Sequence, residues 1–441
     1  MQLQVFQNII VDFHNRSLPS LTLRDRSLRF IRDMSLSIVG ARRSGKTYRT
    51  YQFIAEWIEQ GGSMQNTCRV QFNDHRLSMM TREELSLIDD AYYSLYPEKR
   101  GSEEVLFVFD EIHRVEGWED YVLHLLDEPS HRVLITASTS RLLSGEISSS
   151  LRGKNHPVPL YPFSFQEFLR HYGVESDSVS SRGQAALRNM LNRYLLQGGF
   201  PGLLDADERD QIDLLQTYWD TMVLRDIIEA HPKEKISISV FSWFSQGLLA
   251  RTGCPFSVRS MAKGMREAGL SFSTENLYAY LRFLEEAFMV FTIPIFSTSE
   301  KVRQRNYQKV YAVDWALAKA NASADAVDIT RQLETMVYLE LRRRGFDLSY
   351  FKTRQGWEID FVALQKNGAD KRPTLYQVAY SLGSKEVRDR ELRGLPETAR
   401  YLNAQKAVVL TLNEEENLLV DGVQIEVIPV WKWLLETDCA K

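Results

Sequence analysis

The sequence predicts an α/β fold built on a mostly parallel sheet, and three features carry that prediction. Short apolar runs at Leu36 to Val39, Arg69 to Phe72, Val105 to Phe109 and Val133 to Thr136 alternate with helical stretches such as Tyr48 to Glu59. Strands that are apolar throughout are buried on both faces, which is the condition of a parallel sheet covered by helices. Between the first run and its helix, Gly40-Ala41-Arg42-Arg43-Ser44-Gly45-Lys46-Thr47 fits the phosphate-loop pattern GxxxxGK[ST]. The third run ends in two adjacent carboxylates, Asp110 and Glu111.

The strand, loop and helix order around the glycine motif is what phosphate binding requires. Loop N–H groups converge on phosphate oxygens, and the helix N-terminus adds positive potential. Lys46 is expected to reach the β- and γ-phosphates of ATP, and the Thr47 hydroxyl to ligate Mg²⁺. Asp110 is expected to hold the shell of that metal, and Glu111 to orient and polarise an attacking water. A further strand, Arg132 to Thr136, leads into Ala137-Ser138-Thr139-Ser140. Two readings of that polar run stand level: Ser138 or Thr139 touches the γ-phosphate or the water, or one of them caps the next helix. After that helix come Arg152 and Lys154. Either is a candidate arginine-finger-type cation for the nucleotide of a neighbouring subunit, and the alternative is a surface cation at a helix C-terminus.

Four regions divide the chain. Residues 1–164 hold the strands just described, and Pro157, Pro159 and Pro162 punctuate their end. Residues 165–235 read as helical: Leu187, Leu191, Tyr194 and Leu195 recur at helical spacing, and Gly198-Gly199-Phe200-Pro201-Gly202 stops that helix. Residues 236–300 form a small helical module ending in strands. Its best helix, Glu275 to Phe288, carries an apolar stripe of Leu277, Leu281, Leu284 and Phe288, with Ser273 or Thr274 as N-cap. Residues 301–441 read as α+β, with strands at Lys309 to Val313, Ile359 to Leu364, Leu375 to Ala379 and Ala407 to Leu412.

Composition narrows the function classes. Apolar residues make up 44% of the 441 and charged residues 25%, ordinary values for a globular chain. The net charge of −4 leaves no molecule-wide basic field for nucleic acid, so any DNA contact has to come from a local patch. Cys68, Cys254 and Cys439 are far apart, which excludes a CxxC zinc ribbon and argues against a disulfide framework. No signal peptide is evident at the N-terminus, and no apolar stretch approaches the roughly 18 residues of a membrane span. A cytoplasmic location is therefore expected.

Taken together, the motifs resemble the AAA-type ATP-binding proteins of bacteria and archaea that carry a C-terminal restriction-endonuclease-like domain. Beside the glycine loop, the resemblance rests on Phe72-Asn73-Asp74, Asp110-Glu111-Ile112 with Gly117-Trp118-Glu119, and Thr136-Ala137-Ser138. It continues through Pro162-Phe163-Ser164-Phe165 with Glu167-Phe168, then Gly198-Gly199-Phe200-Pro201, and covers nearly the whole chain. At the C-terminal end it rests on Lys309-Val310-Tyr311 with Asp314, Glu334 and Glu358-Ile359-Asp360-Phe361. It implies a winged-helix module with Leu277 to Phe288 as its recognition-type helix and Phe291 to Phe296 opening the wing. Lys301, Arg303, Arg305 and Lys309 would then cluster near the wing tip, for DNA phosphates or as a solvated loop on a module that only packs. It also implies a PD-(D/E)xK-like fold, with Glu334 on its helix, Asp360 at a strand end, Glu358 as an added ligand and Gln377-Val378-Ala379 at the E-x-K position. Ala379 supplies no lysine there, so the nuclease-like site is expected to be inactive. The resulting expectation is a Mg²⁺-dependent ATP-hydrolysing switch or motor that acts on nucleic acid or a partner protein and assembles into homo-oligomers. The alternatives are an ATP-gated DNA nuclease and a nucleotide-dependent interaction scaffold.

Overall fold

A computed structural model of the chain describes residues 3–140, 150–231, 234–297, 299–322, 327–366 and 371–436. It divides into two compact units, residues 1–160 with 286–288, and residues 161–285 with 289–441.

The first unit is organised by β1 (Ser35–Val39), β2 (Thr67–Gln71), β3 (Val105–Asp110), β4 (His131–Ala137) and β5 (Asn155–Pro159). They form a wholly parallel sheet in the order β2-β3-β4-β1-β5. Every residue of β1 and β3 is buried, as strands covered on both faces must be. The helices are α1 (Leu3–His14), α2 (Lys46–Glu59), α3 (Leu87–Leu95) and α4 (Trp118–Leu126). Phe53 and Ile54 of α2 pack with Phe13 of α1 on Leu36, Ile38, Leu106, Val108, Leu134 and Val158. That shared apolar layer fixes α2 over the sheet, so the loop from β1 into α2 lies at the C-terminal ends of the strands. Such ends, where neighbouring connections diverge, are where open α/β sheets bind ligands. The sequence reading found β1 to β4 and α2, and missed α1. Its signal was present, since Phe6, Ile9, Ile10 and Phe13 are its buried stripe.

The second unit begins with α5 (Phe165–His171), α6 (Ser181–Gln197) and α7 (Glu208–Met222). The turn after α6 is fixed by Asp314, whose Oδ2 accepts the Gly199 N–H at 2.7 Å; a Cβ on Gly198 would meet the same carboxylate at 2.4 Å. Next come α8 (Ile238–Leu249), β6 (Cys254–Phe256), α9 (Val258–Glu267), α10 (Thr274–Glu286), β7 (Val290–Ile293), the short α11 (Glu300–Arg305) and β8 (Gln308–Ala312). Here β8 is the centre of a three-stranded antiparallel sheet, β6-β8-β7. The expected division at residue 300 therefore cuts through a sheet: Lys309 to Ala312 belongs with the preceding helices. Ser273 is the residue that caps α10, its Oγ accepting from Asn276 N–H at 3.2 Å.

After α12 (Trp315–Asn321) and α13 (Ile329–Arg343) the chain builds β9 (Phe346–Lys352), β10 (Glu358–Gln365), β11 (Thr374–Val378), β12 (Lys406–Thr411), β13 (Glu416–Val420) and β14 (Val423–Pro429). Their order is β13-β14-β12-β11-β10-β9, with β11, β12 and β14 parallel and the outer pairings antiparallel. Helices α14 (Lys385–Leu392) and α15 (Leu395–Leu402) cover one face through Leu392, Leu395 and Ala399, and α16 (Val430–Trp433) follows β14. Among the described residues no helix is long and apolar enough to cross a membrane.

Candidate nucleotide site

The loop from Gly40 to Thr47 is shaped by two close constraints. A Cβ on Gly40 would lie 2.1 Å from the Leu160 carbonyl oxygen, so only glycine lets the loop leave β1 beside the end of β5. Gly45 has φ 97° and is the N-cap of α2, with no side chain accepting from the first amides of the helix. That leaves a helix N-terminus whose donors and positive potential face the loop. Arg43 also lies in the left-handed region at φ 67° and is exposed, while Ala41 and Ser44 are buried.

Lys46 is only 5% exposed. Its Nζ donates to the carbonyls of Gly40 at 3.1 Å and Ala41 at 3.0 Å and to Ser138 Oγ at 2.9 Å. Ser138 in turn donates to Glu111 Oε1 at 2.8 Å, and Lys46 Nζ stands 3.8 Å from the same oxygen. Ser138 thus bridges Lys46 and Glu111, as the first of its two readings requires. The helix it was otherwise expected to cap falls on residues 141–149, outside the described residues. Glu111 lies in the left-handed region at φ 63°, held there by the Thr136 hydroxyl, which accepts from its N–H at 3.0 Å. Burial pushes the Glu111 carboxyl up, but Lys46, His113, Ser138 and Arg42 outweigh it and hold it below the usual carboxylate range. His113 Nε2 is 3.6 Å from Glu111 Oε2.

Asp110 is fully buried at the end of β3. Its Oδ1 accepts from Thr136 Oγ1 at 2.6 Å, and its Oδ2 accepts from Thr47 Oγ1 at 2.9 Å. Thr47 and Asp110 thus form an oxygen-only pair of the hard type that suits Mg²⁺ beside phosphate. Two buried polar atoms, Ser44 Oγ and Glu111 Oε2, have no hydrogen-bond partner among the described residues. Buried polar atoms are normally satisfied, so a loop with such atoms at its centre fits a polar ligand.

Comparison with known proteins agrees with this geometry. The family described as AAA domain matches residues 32–169, and a domain of unknown function (DUF8612) matches residues 188–328. An uncharacterized protein of Methanocaldococcus jannaschii is 31% identical over 448 residues, covering 98% of this chain and 95% of that protein. The chain belongs to this family of AAA-domain proteins. An uncharacterized protein of Haemophilus influenzae is 29% identical over 407 residues, covering 90% of this chain and 94% of its own length. Among solved structures, the Walker-type ATPase of Pyrococcus abyssi overlaps with a TM-score of 0.43 at 13% identity, over 66% of this chain and 91% of its own. The Aeropyrum pernix ORC1 protein in complex with DNA overlaps at 0.28 and 14% identity, over 74% and 92%. Neither overlap is close enough to carry weight.

Elsewhere in this AAA-domain protein the candidate residues fare differently. Arg152 is exposed at φ 50° in the turn before β5, and Lys154 Nζ is 3.8 Å from Asp127 Oδ1. That turn adjoins Ser35, at the opposite end of β1 from the glycine loop, so neither cation is at its own subunit's nucleotide loop. Lys301 and Arg303 are exposed on α11, while the Arg305 side chain lies outside the described residues. Lys309 overturns its expectation. It is 1% exposed, and its Nζ sits 2.9 Å from Glu334 Oε1, 2.8 Å from Glu358 Oε1 and 2.9 Å from Asp360 Oδ1. The reason is strand periodicity: Lys309 and Tyr311 share a face of β8, and the Tyr311 hydroxyl also donates to Glu334 Oε1 at 2.8 Å. Gln377 joins the cluster from β11, its Oε1 accepting from Asp360 N–H at 3.3 Å and its Nε2 donating to Glu391 at 2.8 Å. A cation therefore does stand among Glu334, Glu358 and Asp360, supplied by β8 rather than by position 379.

Sequence reasoning missed three residues that stand beside Asp110 or Glu111: Thr136, His113 and Arg69, whose Nη2 is 3.3 Å from Asp110 Oδ2. Thr136 and Arg69 are polar side chains inside otherwise apolar strand runs, and that interruption was the available signal.

Proposed function

We propose that the protein binds ATP with Mg²⁺ through Gly40, Ala41, Arg42, Arg43, Ser44, Gly45, Lys46 and Thr47, and hydrolyses it. The observation that carries this reading is the meeting of Lys46, Thr47, Asp110, Glu111 and Ser138 at one helix N-terminus, beside the buried Ser44 Oγ and Glu111 Oε2, which have no hydrogen bond among the described residues. Thr47 and Asp110 would hold Mg²⁺, which when bound neutralises charge on the phosphates. Lys46 would exchange its carbonyl partners for phosphate oxygens. Ser138 would then be free to hold Glu111 against the attacking water, and Glu111, kept ionised, orients that water. Mg²⁺-dependent phosphate release tests the reading. Lys46→Ala is expected to abolish it, and Glu111→Gln to lower turnover about a hundredfold or more while ATP still binds. Hydrolysis by Glu111→Gln at the parent rate would refute the assigned role.

Arg152 is proposed as the cation that completes the site of a neighbouring copy, since it stands exposed and away from its own loop. Helices α8, α9 and α10 with the β6-β8-β7 sheet support a winged-helix reading of residues 236–312, with Lys301 and Arg303 on its exposed connection available to DNA phosphates. For the sheet of β9 to β14 a nuclease-like fold with a structural rather than cutting role is proposed. The order of α13, β9, β10 and β11 supports the fold, and the direct pairing of Lys309 with all three carboxylates supports the role.

A further inference from the structure

A second cation stands beside the proposed metal-holding carboxylate. Arg69, in the middle of β2, is 6% exposed, and its Nη2 is 3.3 Å from Asp110 Oδ2, the oxygen that also accepts from Thr47. The parallel register puts Arg69 opposite Val108, so its side chain emerges on the face that carries Val108 and Asp110. The guanidinium is held against aromatic rings, 4.6 Å from the centroid of Tyr51 on α2 and 5.7 Å from that of Phe13 on α1. Its Nη2 also lies 3.5 Å from Gln71 Oε1, and its Nε has no partner among the described residues. A buried arginine with unused donor capacity, packed between two rings and aimed at one carboxylate oxygen, is not explained by fold stability alone. A methionine or leucine would fill the same layer without burying a charge.

We infer that Arg69 is a positioning residue of the nucleotide site, one that fixes Asp110 and offsets part of its negative charge, and thereby sets how much Mg²⁺ the protein needs to hold nucleotide. The inference rests on the nucleotide reading above. Asp110 has its two oxygens taken by three donors: Thr136, Thr47 and Arg69. The hydroxyls orient the carboxylate without changing its charge. The guanidinium does both, because it brings a positive charge as well as directed N–H donors. A divalent cation arriving at Thr47 and Asp110 therefore meets a carboxylate already paired with a cation. Its attraction is weaker, and its release with the spent nucleotide is easier, than for an unpaired aspartate. Coulomb energies at such separations in a protein interior are large enough to move binding constants by an order of magnitude.

The test is an equilibrium titration of Mg²⁺ into the full-length protein with a fluorescent ATP analogue, comparing the parent with Arg69→Met and Arg69→Lys. Arg69→Met keeps the length and apolar packing of the side chain and removes its charge. The half-saturating Mg²⁺ concentration is expected to fall about tenfold, with analogue binding in the absence of Mg²⁺ unchanged. Arg69→Lys keeps the charge and is expected to stay near the parent value. Thermal unfolding of each variant reports the packing contribution separately, and Arg69→Gln takes the place of Arg69→Met should the latter not fold. An unchanged Mg²⁺ requirement in a folded, uncharged variant overturns the inference and leaves Arg69 as a packing residue. A parent that binds the analogue without any dependence on Mg²⁺ overturns the inference alone, whereas a parent that does not bind the analogue at all overturns the nucleotide reading as well.

Discussion

Three lysines are buried among the described residues, and two of them, Lys46 and Lys309, contrast in how they meet carboxylates. Lys46 donates to two backbone carbonyls and a serine hydroxyl, all neutral, with the Glu111 carboxylate held off at 3.8 Å. Lys309 donates directly to three carboxylates within 2.9 Å. The ammonium of Lys46 meets its carboxylate only at that distance, and the loop around it is glycine-shaped and contains the buried Ser44 Oγ, which has no hydrogen-bond partner among the described residues. The ammonium of Lys309 is committed. Burial alone would lower its pKa, but Asp360, Glu334, Tyr311 and Glu358 outweigh burial and hold it well above the usual value. A buried ammonium beside a glycine-shaped loop and a helix N-terminus suits an anionic ligand, whereas one held by three carboxylates is part of the scaffold. The contrast separates a binding site from a structural centre although both contain lysine, aspartate and glutamate.

The largest effect that can break the comparison is on stability. Lys309→Met leaves three buried carboxylates without their cation and is expected to cost about 3–5 kcal/mol in denaturant unfolding. Adding Glu334→Gln to that variant is expected to recover part of the loss, because it removes one of the stranded charges. A cost below about 1 kcal/mol would mean that the cluster does not depend on Lys309 and that its carboxylates are free for other partners.

At the nucleotide site a smaller, purely functional effect is expected. Ser138→Ala removes both the acceptor for Lys46 and the donor to Glu111. Steady-state turnover should fall about ten- to a hundredfold, the equivalent of one hydrogen bond to a charged group, with ATP affinity little changed. Equal losses in affinity and turnover would make Ser138 a binding residue instead.

The two centres should also differ in their response to pH. Burial, with Asp360, pushes the Glu334 carboxyl up to about 7 from its ordinary 4.5, against the opposing pull of Lys309 and Tyr311. Between those values the folded protein holds a proton that the unfolded chain has released, so stability declines as pH rises from about 4.5 to 7. Glu334→Gln is expected to flatten that slope in unfolding curves measured across the window. The Glu111 carboxyl is held below its ordinary value instead, so its contribution has the opposite sign and is lost as pH falls, not as it rises. A slope unchanged in Glu334→Gln would place the extra proton elsewhere.

The smallest expected effect is none. Supercoiled plasmid incubated with the protein in Mg²⁺ or Mn²⁺, with and without ATP, should stay intact. Cleavage that disappears in Asp360→Ala would turn the Lys309 centre into a working site and dissolve the contrast.

Much of the nucleotide site was legible in the sequence because its logic is local. Gly40 to Thr47 is one contiguous loop, and Asp110-Glu111 follows an apolar run that can only be a buried strand. What escaped was the cross-strand part. Arg69 and Asp110 are 41 residues apart and meet only because β2 and β3 pair in parallel register. The Lys309 centre failed for the same reason in stronger form. Lys309 follows Lys301, Arg303 and Arg305 in the chain, so proximity in sequence read it as one of a basic group. The strand that starts at Gln308 turns it inward, to meet Glu334 from a helix and Glu358 and Asp360 from another strand. Val310, Tyr311, Ala312 and Val313 immediately after it were the clue that this lysine begins a buried strand.

The central claim is that the Lys46 centre, at the glycine loop and the N-terminus of α2, is where nucleotide binds. Equilibrium titration of ATP in Mg²⁺ against the parent, Glu111→Gln and Lys46→Ala tests it most directly. The account predicts one ATP per chain for the parent and for Glu111→Gln, and no measurable binding for a folded Lys46→Ala. Equal affinity in all three proteins would contradict it.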